Sequence, residues 1–540
     1  LSNNKRGDIA SNFFLIIKKK IIDKNYDFNS SFKKKISEIN FIDTFEISKN
    51  GFINFYLNDN FILNSLNEIY ENVHKDKIKF VDNKRINIEF VSANPTGPIH
   101  IAHLRGAIFG DVLSNLYKKI GYHVIKEYYV NDAGSQIDKL TSSLYKRYLE
   151  LCNQNIKLSA DEYPGTYLIE IAKKIFKKDH KLWLNKKNDE INNYFKKIAI
   201  ETLLENIKSD LKYLDITFDI FTHESDIVKS NIIEELFDIL KHKKLLYEGI
   251  LPKPKGDDGE WEPRKQLLFK SSDLSDVQDR PFKKSNGEWT YFANDAAYHY
   301  DKFKRNFDKL INVWGSDHIG YIPRMASLLN VIQDDINYFE VLTCQIVSLI
   351  KDKKKIKMSK RDDNFVTLEE LYKKVGKDPI RYYMISTKNE TAIDFDLDEV
   401  VMKNKDNKVF YCQYAYARLS SVINKAKELN INVEKIDNVN FFNNNISSEE
   451  LSIIKLLISY PQVLYQSAFY NEPHRIINYL ETLCTKFHSI WNKGKDNVSL
   501  RFIDNDNTDN TKIKLYWITC LRVVLKDIFS IIGIEPVEKM

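Results

Sequence analysis

The alternation in "GFINFYL", residues 51–57, sets Ile53, Phe55 and Leu57 against Phe52, Asn54 and Tyr56, and predicts a strand that closes a small α+β module over residues 1–80. Further along, the continuous apolar run at 86–91 predicts a buried strand. A Pro/Gly turn follows, and apolar positions at helical spacing predict a helix from about residue 100 to 119, stopped at Gly121. A second strand running through Val130 completes a βαβ unit, which implies a parallel sheet. From about residue 398 the period-two signal disappears, and the pattern predicts a helical bundle whose last apolar helix is closed by Gly533. The Asn-rich stretches "DNVNFFNNNISSEE" and "DNDNTDNTK" read as solvated loops between its helices. The expected architecture is therefore α/β: a Rossmann-like parallel-sheet domain over 84–380 with a helical insertion at about 146–215. A small N-terminal α+β domain (1–80) precedes it and a C-terminal all-α helical bundle (398–540) follows.

Composition narrows the class of protein. With 540 residues and 43% hydrophobic content the chain can bury several cores. Its most apolar late segment carries Arg522, Lys526 and Asp527, so it reads as a buried helix and no membrane partner is expected. The chain begins at Leu1 without a secretory pattern, which suggests an N-terminus incomplete at its start, in a cytoplasmic protein. The 5 cysteines lie far apart with no C-x-x-C pair, so neither disulfides nor structural zinc is expected. A net charge of +6, from 81 basic and 75 acidic residues, permits a nucleic-acid partner without arguing for one.

Two clusters could carry chemistry. His100 and His103 project from one face of a helix's first turn, where unpaired backbone N–H groups and the helix dipole already favour an anion. That placement fits a phosphate site. Two surface histidines, or a metal pair lacking a third ligand, are the blander readings. In "KMSKRDDNF", Lys357 and Lys360 flank a short turn and could bring compact charge onto a polyphosphate as its charge grows. The neighbouring Lys351, Lys353, Lys354 and Lys355 read as a solvated face.

In order, "HIAH" after "NPTGP" and then "KMSKR" resemble the signature pair of the class I aminoacyl-tRNA synthetases. The words "EFVSANPTGPIHIAHLRGA", "EYYVNDAGSQI", "TYFANDAAYH", "VWGSDHIGY" and "KMSKRDDNFVTLEEL" narrow the resemblance to bacterial arginyl-tRNA synthetases, over nearly the whole chain. "GDIASN" and "GFINF" resemble that family's N-terminal domain, and "QYAYARL" with the terminal "EPVEKM" its anticodon-binding bundle. Two departures stand out. Ala102 occupies a position where the signature has glycine, so a methyl group would face adenine, and a proline near Lys408 and a histidine near Tyr416 are missing.

The resemblance implies an ATP-dependent ligase that activates L-arginine and transfers it to tRNA for arginine, with magnesium accompanying ATP. His100, His103, Lys357 and Lys360 would be catalytic through phosphate charge. Pro95, Gly97, Ala102, Asp317, His318, Met358 and Ser359 would join them around ATP. Glu89, Ser92 and Asn94 would hold the α-amino and carboxylate groups of arginine, and Asp132 with Gln136 would line the pocket. Glu224 and Asp295 would take the guanidinium, with Tyr291 against its stem. Planar bidentate pairing to carboxylates is the strong way to hold a guanidinium's fixed donors. Tyr411, Tyr414, Trp491 and Met540 are the candidates for stacking on the anticodon loop. The family resemblance further implies that tRNA binds before arginine is activated, and the chain is expected to act as a monomer. A class I synthetase for another amino acid, a non-catalytic tRNA-binding paralogue and a small-molecule adenylyltransferase are the alternatives. Retention of both histidines and both lysines speaks against the second, and the extra terminal domains speak against the third.

Overall fold

The computed structural model of the chain describes residues 7–13, 16, 28–252, 263–333, 338–356, 367–404, 406–431, 446–504 and 506–540. Contacts divide it into two compact units, residues 81–402 and residues 1–80 with 403–540.

The first unit is built on a parallel sheet. Its strands are β1 (Arg85–Glu89), β2 (His123–Val130), β3 (Ile220–His223), β4 (Lys309–Gly315) and β5 (Phe339–Cys344), in the spatial order β5-β4-β1-β2-β3. Every pairing is parallel. The chain order therefore reverses beside β1, and the crevice at the carboxyl ends of β1 and β4 is where such sheets bind ligands. Ile86, Asn87, Ile88 and Glu89 are all buried, as expected for a strand covered on both faces.

Helix α1 (Ile101–Lys119) crosses one face of the sheet. Gly110 is the point of closest approach: a Cβ built there would lie 2.3 Å from the Phe90 ring, so only a hydrogen lets the helix settle onto the end of β1. The same helix is anchored by charge. Asp111 pairs with Lys126 on β2 and with Arg381, all three buried. Burial alone would raise the Asp111 carboxyl, and the two cations outweigh it, holding the group below the usual range. The helical insertion comprises Ser135–Leu151, Thr166–Asp179 and Asn188–Lys212, packed around Leu144, Tyr148, Phe195 and Ala199. Helix α2 (Tyr291–Lys304) begins at Thr290, whose side chain caps the Ala293 N–H.

In the second unit, Ile53–Leu57 is the central strand of a small antiparallel sheet between Ile9–Ser11 and Ile42–Ile47. The bundle helices are Lys408–Glu428, Ser448–Ile458, Tyr460–Phe469, His474–Lys493 and Thr508–Ile532. The N-terminal module packs on them: the Asp59–His74 helix meets the last helix through Tyr516 and Asn67, and Lys455 pairs with Asp8 at 2.6 Å. Gly533 ends the last helix with φ 71, the left-handed cap its type permits. The stretch "DNDNTDNTK" is not all loop. The Asn507 side chain accepts from the Asn510 N–H and starts the last helix at Thr508, well inside the Asn-rich run. Among the described residues no helix is long and apolar enough to cross a membrane.

Candidate active site

The end of β1 is strained. Val91 and Ser92 have φ of 66° and 38°, and the Ser92 N–H reaches back to the Phe90 carbonyl at 2.9 Å, a γ-turn about a β-branched residue. Such a conformation costs on the order of 1–3 kcal/mol and persists only where its surroundings impose it. Here the Ser92 hydroxyl donates to Glu89 Oε1 at 3.0 Å and accepts the Tyr129 N–H at 3.1 Å, while Tyr128 donates to the Ala93 carbonyl at 2.7 Å. The other oxygen of Glu89 accepts from Tyr298 at 3.1 Å and from the fully buried Lys302, which also reaches Asn312 Oδ1 at 3.2 Å. Glu89 is thus placed at the crevice already neutralised.

The loop that follows is held from outside. Tyr167 donates to the Thr96 carbonyl at 2.5 Å and packs over Gly97, beside the buried Pro95, and the exposed Asn94 donates to Gln136 Oε1 at 3.0 Å. His100 stands at the N-cap of α1. Its backbone N–H points to His103 Nδ1 at 3.3 Å, the two rings lie 3.9 Å apart, and the strand-like backbone of His100 bridges Thr367. Ala102, between them, is exposed. Asp210, hydrogen-bonded to the backbone of Ile99, is pushed up to about 6 by burial and the nearby Glu369.

Beyond β2 the acids gather. Asp132 is buried and fully engaged: Ser225 donates its N–H and hydroxyl, each at 2.8 Å, and His223 Nδ1 lies at 2.9 Å, so Asp132 ties β2 to the corner after β3. Glu224, at that corner, is 3% exposed, and burial raises its carboxyl, with Asp132 adding to the rise. Asn294 of α2 donates to Glu224 Oε1 at 3.2 Å, which brings the next residue, Asp295, to the same place. Burial pushes Asp295 up to about 7. Glu224 and Glu89 push the same way, against a hydrogen bond from Tyr321 and the charge of Arg324. Tyr291, one turn before Asp295, is exposed, and its hydroxyl would come within 3.0 Å of a Cβ on Gly134, whose φ of 84° already calls for glycine.

Asp317 and His318 follow β4 on the other side of the crevice, both exposed, 3.5 Å apart. Arg105, on the second turn of α1, is buried and gathers the carbonyls of Gln345, Lys388 and Thr391 at 3.1, 2.8 and 2.5 Å. Lys357, Met358, Ser359 and Lys360 lie outside the described residues. In the other unit the Arg418 guanidinium lies between Tyr414 and Trp491, 4.2 and 4.8 Å from their centroids. Tyr411 packs on His488 at 4.3 Å, and Met540 is exposed.

Comparison with known proteins decides what this arrangement belongs to. Residues 65–424 match the family model described as "tRNA synthetases class I (R), catalytic domain", residues 1–57 the "Arginyl tRNA synthetase N terminal domain", and residues 412–540 the "DALR anticodon binding domain". The arginine–tRNA ligase of Ehrlichia ruminantium (strain Welgevonden) is 39% identical over 543 residues, covering 100% of this chain and 93% of the relative. The chain belongs to the arginyl-tRNA synthetase family. A second arginine–tRNA ligase, from Orientia tsutsugamushi (strain Boryong), is 40% identical over 540 residues, with 99% of this chain and 91% of the relative covered. The arginyl-tRNA synthetase of Thermus thermophilus shares the fold at a TM-score of 0.73 and 16% identity, over 100% of this chain and 95% of that one.

Several groups at this synthetase crevice escape sequence reasoning. Tyr129, Asn294, Lys302 and Tyr321 are ordinary core or helix residues by pattern, and only the fold brings them against Glu89, Glu224 and Asp295. Tyr129, Asn294 and Tyr321 do stand inside the words "EYYVNDAGSQI", "TYFANDAAYH" and "VWGSDHIGY", whereas Lys302 carries no local signal.

Proposed function

We propose that the chain is an arginine–tRNA ligase working in the cytoplasm as a monomer. In the first step the carboxylate of L-arginine attacks the α-phosphate of ATP and pyrophosphate leaves. In the second, a hydroxyl of the terminal tRNA ribose attacks the adenylate's carbonyl and AMP leaves. The observation that carries this reading is the convergence of Glu224 and Asp295, remote in sequence, on one buried place linked by Asn294. Two carboxylates there are a receptor for a cation, and a guanidinium can pair with both.

Each residue then has a task. Glu224 and Asp295 take the guanidinium, with Tyr291 along its stem. Glu89, Ser92 and Asn94 present the far end of the amino acid to ATP, and Asp132 with Gln136 shapes the pocket wall. His100 and His103 extend the N-terminus of α1 toward the phosphates, joined by Lys357 and Lys360. Pro95, Gly97, Ala102, Asp317, His318, Met358 and Ser359 contact the nucleotide. The protein supplies position and charge rather than a nucleophile. Magnesium would be carried in by ATP and add charge neutralisation there. Lysine or citrulline would leave buried carboxylates without a matching partner, at a cost of about 3–5 kcal/mol. Tyr411, Tyr414, Trp491 and Met540 would meet the anticodon loop of tRNA for arginine.

The test is arginine-dependent exchange of pyrophosphate into ATP, with and without tRNA for arginine. Exchange that requires arginine supports the reading, exchange driven equally by another amino acid rejects it, and exchange without tRNA rejects only the order of binding.

A further inference from the structure

Three buried polar atoms around the acid pair have no hydrogen-bond partner: Glu224 Oε2, Asn294 Oδ1 and the Tyr129 hydroxyl. Asn294 is the informative one. A carboxylate oxygen can only accept, so the contact to Glu224 Oε1 at 3.2 Å fixes which end of the amide faces it: the NH2 donates and the carbonyl oxygen turns away. That oxygen is sealed from water and receives no donor. Buried acceptors left in this state are unfavourable and uncommon in a folded core, so two of them on linked side chains point to a ligand that brings donors. The Tyr129 hydroxyl is kept protonated by burial and then by Glu224, Asp295, Glu89 and Asp132, which places it among the same acids.

A guanidinium is the complement of this set. It carries five N–H donors and no acceptor, more than the free oxygens of Asp295 and Glu224 would use in two paired contacts. We propose that Asn294 is a specificity-determining residue for arginine. Its Oδ1 accepts a guanidinium N–H, while its NH2 holds Glu224 in the orientation that leaves Oε2 for a second one. The proposal rests on the reading that Glu224 and Asp295 form the arginine pocket. It adds a neutral acceptor against citrulline: a carboxylate can take up a proton and donate it to the ureido oxygen, whereas the amide oxygen of Asn294 cannot.

The experiment compares the full chain with Asn294→Ala, Asn294→Ser and, as a reference for the pocket itself, Asp295→Asn, in pyrophosphate exchange with tRNA present. The KM for arginine should rise about 10- to 100-fold in both Asn294 variants, the loss of hydrogen bonds to a charged group. The KM for ATP should stay within about twofold, because only arginine binding has been touched. A structural role would instead lower the melting temperature and move both constants together. An arginine KM within about threefold of the parent in whichever variant melts normally overturns the role of Asn294. An Asp295→Asn variant with an unchanged arginine KM overturns the pocket, which is a separate failure.

Discussion

The Tyr321 hydroxyl donates to Oδ2 of Asp295 at 2.5 Å, and the Arg324 guanidinium lies 4.3 Å from the Tyr321 ring centroid, so Asp295 is held by a phenol that is itself covered by a cation. Even so, burial, Glu224 and Glu89 keep Asp295 near 7, against an ordinary 3.8. A guanidinium binds the ionised form. Arginine bound at Asp295 as proposed must therefore displace a proton below pH 7, and its apparent KM should rise by up to about tenfold per unit as pH falls, flattening above 7. Removing the Tyr321 hydroxyl withdraws a bond that favours the anion. Tyr321→Phe should move the inflection to higher pH, and a KM profile from acid to alkaline pH reads both. In the empty protein the sign reverses: the folded state prefers the proton, so this group favours folding below its ordinary value and that contribution is lost as pH rises toward 7.

The place where Gly110 meets Phe90 makes a sharp stability test. A Cβ at 2.3 Å from the ring has nowhere to go, because Phe90 is fully buried at the end of β1. Gly110→Ala should cost about 1–3 kcal/mol despite alanine's better helix propensity. The measurement is a urea unfolding midpoint. Adding Phe90→Leu should recover part of the loss, since the clash is with the ring and not with backbone.

Much of the frame is written in periodicity. The apolar strand, the Pro/Gly turn, the helix stopped near Gly121 and the next strand through Val130 appear in the fold within a few residues of their expected ends. The strand that runs to Val91 by hydropathy ends at Glu89 in the structure, because Val91 and Ser92 turn left-handed, and no propensity announces a β-branched residue there. The environment of the acids is less legible still. Asp132 looks like a ligand by position, yet Ser225 and His223 engage both its oxygens. Glu89 reads as a substrate ligand, yet Lys302, more than two hundred residues later, already pairs with it. Sequence spacing cannot show which partners long-range packing supplies.

Arg105 should be a second weak point of α1, of a different kind. Its guanidinium has carbonyl oxygens for partners rather than a carboxylate, and burial lowers its tendency to stay charged. Arg105→Met would leave the Gln345, Lys388 and Thr391 carbonyls short of a donor, at about 1–3 kcal/mol in total stability. Those carbonyls flank the Val347–Lys351 and Ile393–Asp396 strands, and Arg105 stands two residues from His103. The variant should therefore raise the KM for ATP more than that for arginine, which exchange kinetics would separate.

Ala102 settles whether a methyl group in the histidine signature matters. By the resemblance to the family it replaces a glycine that lets adenine approach the backbone, and a buried methyl would then weaken ATP binding. In the structure Ala102 is exposed in the first turn of α1, while the residues on either side, Ile101 and His103, face inward to differing degrees. An exposed methyl can be accommodated by a small shift of a ligand that arrives from solvent, whereas glycine in a helix loses backbone entropy. Ala102→Gly should thus change the ATP KM by less than about threefold and lower stability by about 0.5–1 kcal/mol. A large gain in ATP affinity with no loss of stability would instead mean that adenine does press against this methyl, and that the exposed first turn is where the nucleotide base lies.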